Sequence, residues 1–137
     1  MVVKKSITQK DSLGCGIACV AFILDKNYTD TKKYFKGLGD VNKTGYLCRD
    51  LVRVLAKKDL NYDYHYLKRR ITFKEGTIVF IKRSKRYPVG HYLVKAKNGW
   101  MDPWINFDSQ SFDLKKAKSG FRKKLSGKAI YAITPIQ

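Results

Sequence analysis

The chain has 137 residues, enough to bury a hydrophobic core without disulfides or a structural metal. Its 29 lysines and arginines against 11 acidic residues leave a formal net charge of +18, a potential that attracts nucleic acid, anionic membrane surfaces or acidic polypeptides. The three cysteines, Cys15, Cys19 and Cys48, lack paired C-x-x-C spacing, which argues against a disulfide framework and a zinc site. No residue pattern calls for a metal or a cofactor. No apolar run approaches the length of a membrane span, and the opening MVVKKSITQKD has no apolar signal core. The expectation is a single domain over 1–137, located in the cytoplasm.

The first predicted element is a helix over 15–24, CGIACVAFIL, whose nearly unbroken apolarity marks a buried position, with Asp25, Lys26 and Asn27 ending it. A short helix follows over 31–36, with Asp30 or Thr31 as its cap and Gly37 as its stop. Thr44 or Gly45 then opens an amphipathic helix to Lys58, with Leu47, Leu51, Val54 and Leu55 spaced by three and four. The second half of the chain changes period. Residues 78–81 form a continuous apolar run beside Gly76, and Tyr92, Leu93 and Val94 form another. Asn98 and Gly99 are a hairpin signal joining 91–97 to 100–102, and KAIYAIT over 128–134 alternates as a last strand. Helices first and an antiparallel sheet afterwards read as an α+β fold.

The chemistry centres on QKDSLGCGIAC at 9–19. Cys15 opens the apolar helix, where unpaired N–H groups favour a thiolate, the reactive form of a thiol. Gly14 and Gly16 flank it and leave room for a substrate carbonyl. Gln9, six residues upstream, is placed to return its amide beside the Cys15 N–H, giving two donors for an oxyanion. His91 then supplies an imidazole, and Asp102, stiffened by Pro103, a carboxylate that can fix its tautomer. Each also has a plainer reading. Cys19 and Cys48 read as small buried hydrophobes, His65 as structural, and Trp100 and Trp104 as packing. Asp102 can serve as a turn former before proline, and a glutamine at position 9 is unremarkable by itself.

With QKDSLGCGIAC, TGYLCRDLVRVL, GHYLV, DPW and FRKKLSGKAIYAI in this order, the chain resembles the papain-like cysteine peptidases that process bacteriocin precursors at double-glycine leaders. The resemblance spans nearly the whole chain. It implies a papain-like fold, with the nucleophile at a helix N-terminus packed on a C-terminal antiparallel sheet, and a stand-alone peptidase acting on a peptide or protein. By it Gln9 is the oxyanion donor, Cys15 the nucleophile, His91 the general base and acid, and Asp102 the residue that orients His91. One departure is Gly14, where exporter-associated members usually carry an acidic or amide residue. Two other classes stay open: a basic toxin-like effector using the same triad on an anionic partner such as RNA, and a non-catalytic peptide-binding module. The basic runs 68–70, 82–86 and 115–124 keep an anionic partner in view, either nucleic acid or an acidic immunity-type protein.

Overall fold

The computed structural model describes residues 4–38, 45–69, 71–110 and 113–136. Helix α1 spans Cys15–Leu24, and its residues from Gly16 to Phe22 are buried. Asp25 ends it in the left-handed conformation with φ 57°. Helix α2, Tyr28–Lys32, starts three residues earlier than position 31, because the Asn27 carboxamide oxygen accepts from the Asp30 N–H at 2.7 Å and caps it there. It tightens into a 3₁₀ turn over Lys33–Phe35, with Gly37 beyond it at φ 89°.

Helix α3, Cys48–Lys57, starts later than position 44 or 45. Thr44 lies outside the described residues, and Gly45 has a positive φ that no α-helix uses. The start is fixed instead by the Asp50 carboxylate, which accepts from the Leu47 N–H at 2.9 Å. Its apolar stripe buries Leu51, Val54 and Leu55.

The strands are β1 (Tyr62–Tyr66), β2 (Ile78–Ile81), β3 (His91–Ala96), β4 (Gly99–Asp102), β5 (Gly120–Arg122) and β6 (Ala129–Pro135). They form one six-stranded sheet in the order β1-β6-β2-β3-β4-β5, every neighbouring pair antiparallel. The β3–β4 turn is one residue earlier than the Asn98, Gly99 expectation: Ala96 pairs with Gly99, so Lys97 and Asn98 make the turn.

Alternation along the strands gives the sheet two apolar faces. Ile78, Tyr92, Val94, Met101 and Ile133 join the helices in the larger core. Val79, Ile81, Leu93, Trp100 and Ala132 form a smaller core, covered by Leu67, Phe73, Phe107 and Leu125 from the connections. The expected α+β layout is present, with α1 packed against β3, the strand that begins with His91. Among the described residues no helix is long and apolar enough to cross a membrane.

Candidate active site

Cys15 is the first residue of α1, and Gly14 before it has no side chain with which to cap the helix. No side chain of the cap residue therefore competes for the N–H groups of the first turn. Glycine at position 14 has a packing reason: an added Cβ would run into the Tyr28 hydroxyl, which would have to move. That hydroxyl donates to the Asp11 carboxylate at 2.7 Å, and Lys32 Nζ donates to its other oxygen at 3.1 Å. The loop ahead of the cysteine is thus tied to α2, which accounts for the departure at Gly14.

His91 opens β3 directly after Gly90, whose φ of 82° and contact with the Phe80 ring exclude a side chain. Its Nε2 lies 2.7 Å from Asp102 Oδ1, so Nδ1 is the nitrogen left to meet Cys15. Burial disfavours the imidazolium. Hydrogen bonds to Asp102 and to the Cys15 sulfur, and the charges of both, outweigh it and push His91 up to about 9. The Tyr87 ring stacks on the imidazole at 4.8 Å between centroids, with an interplanar angle of 2°.

Asp102 is wholly buried at the end of β4. Oδ1 also accepts from the Trp104 N–H at 3.0 Å, and Oδ2 accepts from Arg122 Nε at 3.0 Å. Burial alone would raise this carboxyl. The hydrogen bond and charge of His91, the Trp104 N–H and the Arg122 charge hold it below its ordinary value.

Gln9 is buried and lines the same groove as Cys15 and His91. Its Nε2 donates to the carbonyls of Asp11 at 3.0 Å and Ser12 at 3.1 Å, while its Oε1 has no partner among the described residues. The backbone N–H of Gln9 donates to the Pro103 carbonyl at 3.2 Å, joining the segment before the cysteine to the one after the aspartate. All four residues singled out from the sequence therefore meet around one groove of about 370 Å³ or directly behind it.

Sequence reasoning missed several neighbours. Arg122 sits within a lysine-rich run and has no local mark of its role beside Asp102. Tyr87, Trp104 and Phe107 wall the groove, Trp104 from a buried position in keeping with a packing role. Cys48 also lines it, half-buried, with the Tyr92 hydroxyl 3.7 Å from its sulfur, whereas Cys19 is fully buried as expected. His65 is exposed on β1.

A helix-borne cysteine set on an antiparallel sheet that carries a buried histidine–aspartate pair defines a papain-like cysteine peptidase. The sequence model of the peptidase C39 family matches residues 3–135, and the chain belongs to that family, the bacteriocin-processing double-glycine peptidases. No curated protein and no solved structure matches the chain.

Proposed function

We propose that this peptidase cleaves a peptide bond through Cys15, His91 and Asp102, with Gln9 and the backbone N–H of Cys15 as oxyanion donors, and that the cut follows a Gly-Gly pair. The reading rests above all on the buried His91–Asp102 pair at 2.7 Å opening into the groove that holds Cys15. In the first half-reaction the Cys15 sulfur attacks the scissile carbonyl carbon, and the carbonyl electron pair moves onto oxygen. The Cys15 N–H and one proton of the Gln9 amide, released from Ser12, would hold that oxyanion. The oxyanion collapses, the C–N bond breaks, and the His91 imidazolium gives its proton to the departing amine. A thioester remains on Cys15.

In the second half-reaction His91 removes a proton from water, and the oxygen attacks the thioester. The C–S bond breaks, leaving a carboxylic acid product and the restored cysteine. Asp102 stays ionised throughout and fixes the imidazole plane, as the two acceptor bonds of its Oδ1 and the Arg122 contact on Oδ2 favour. The aromatic walls from Tyr87, Trp104 and Phe107 suit residues without side chains at the cut.

The test is turnover of a peptide carrying Gly-Gly at the cut by the wild type and by Cys15→Ala. Loss of at least about a thousandfold in kcat is expected, because triad members act as a unit. Iodoacetamide labelling read by peptide mass gives an independent check. Cys15 should be alkylated first, because it is only partly buried and lies beside His91, whereas burial pushes the thiols of Cys19 and Cys48 up. Equal rates at all three sulfurs would end the nucleophile reading.

A further inference from the structure

The sheet gathers positive charge at one end, and that end is the one bearing the groove. Tyr66 of β1 pairs with Tyr131, Ile81 of β2 with Ala129, and Ile81 also with His91. The residues just beyond these strand ends therefore come together. Lys68 and Arg69 follow β1, Lys82 follows β2, Lys85 and Arg86 lie in the β2–β3 connection, and Lys128 precedes β6. All six are exposed. The backbone confirms their proximity: Lys82 N–H donates to the Lys128 carbonyl at 2.8 Å, and Leu67 N–H donates to that of Ile130 at 2.8 Å. No aspartate or glutamate occurs in 64–69, 79–92 or 126–132. The run 115–124 contains β5, at the other edge of the sheet, and Arg122 within it is already paired with Asp102.

Inside the groove the same sign holds. Apart from His91, the charged side chains that line it are Arg49, in the first turn of α3, and Arg83, just after β2. Both are exposed, and neither has an acidic partner among the described residues. What sets these two apart is their place, since no aspartate or glutamate lines the groove beside them. Two guanidinium groups on different elements of one cleft, with no carboxylate of the chain lining it, can each take a carboxylate of a substrate.

We infer that the substrate is an acidic peptide, whose aspartate or glutamate side chains flanking the cleaved bond are held by Arg49 and Arg83, while the lysines and arginines at the sheet end draw it in. The inference rests on the peptidase reading and names its substrate class. A peptide fits better than a nucleic acid. Arg49 and Arg83 line the groove that holds Cys15, and Tyr66 and Tyr131 pack edge to face at 5.6 Å rather than offering parallel faces for stacked bases.

The experiment compares three peptides identical except at two positions flanking a Gly-Gly cut, which carry Glu, Gln or Lys. For the wild type, kcat/KM should fall in the order Glu, Gln, Lys, with each arginine worth about fivefold through KM. The Glu-to-Gln ratio should shrink between 50 and 300 mM NaCl, about the range over which such contacts are screened. In Arg83→Gln and Arg49→Gln the ratio should drop towards one. Because it is read within each variant, loss of folded protein cancels. Fluorescence anisotropy of the same peptides on Cys15→Ala measures the preference without turnover, so it decides the acidic-substrate inference even if no peptide is cut and the catalytic reading fails. Equal binding and cleavage of Glu and Gln peptides, or a preference untouched by both substitutions, would overturn it. So would a single-stranded RNA oligonucleotide that binds Cys15→Ala more tightly than the Glu peptide at equal salt.

Discussion

Asp102 carries a charge with none of its surface exposed, a state that is tolerable only because each carboxylate oxygen is engaged. Arg122 is the partner on the side away from His91, and it is itself only 20% exposed. Replacing it with glutamine leaves a buried charge short of a partner. Arg122→Gln is expected to lower unfolding stability by about 2 kcal/mol, a buried-pair cost reduced for the partial exposure of the guanidinium. Urea unfolding followed by circular dichroism checks this. An unchanged midpoint would mean that the Trp104 N–H and His91 suffice to hold the carboxylate. The residue also shows where sequence reading stops. Cys15, His91, Asp102 and Gln9 are legible because their chemistry is rare and ordered, with one of only two histidines in the chain following a cysteine flanked by glycines. Arg122 is one of 29 basic residues, and its partner lies 20 positions away.

At the scale of elements, the contact between Gly14 and Tyr28 couples the nucleophile's loop to α2. Gly14→Ala forces that hydroxyl to move, and overpacking of this kind costs about 2 kcal/mol. In a Tyr28→Phe background the same change should cost less, because the atom it strikes is gone. A double-mutant cycle on thermal midpoints reads the difference, and strict additivity would place the strain elsewhere. Elements were legible where burial imposes a period: α1 as an apolar run, α3 as a stripe, β2 and β3 as continuous apolar strands. Where burial is slight they were not. In β1, YDYHY, only Tyr62 is buried, so no apolar alternation marks an edge strand. The three residues of β5 become a strand by pairing with β4, information held in another part of the chain. The start of α3 is not legible because Asp50, which fixes it, reads from sequence as an ordinary surface charge.

Taken as a whole molecule, the chain should be most stable in mildly acidic solution. His91 is raised from 6.5 to about 9, so its contribution is complete below pH 6.5 and is lost as pH rises through about 9. Asp102 is lowered from 3.8, so its contribution is complete above that pH and is lost as pH falls through its depressed value. Thermal midpoints should therefore fall from pH 7 to 9.5, and His91→Gln should flatten that slope. A slope of equal steepness in the variant would assign it to the repulsion of other groups. The order of the strands has a consequence in time. β6 lies between β1 and β2, so on the ribosome β1 cannot join the sheet until residues 129–135 have emerged. The β2–β3–β4 meander that carries His91 and Asp102 pairs only within itself and can form first, so β6 and then β1 are the last strands to dock.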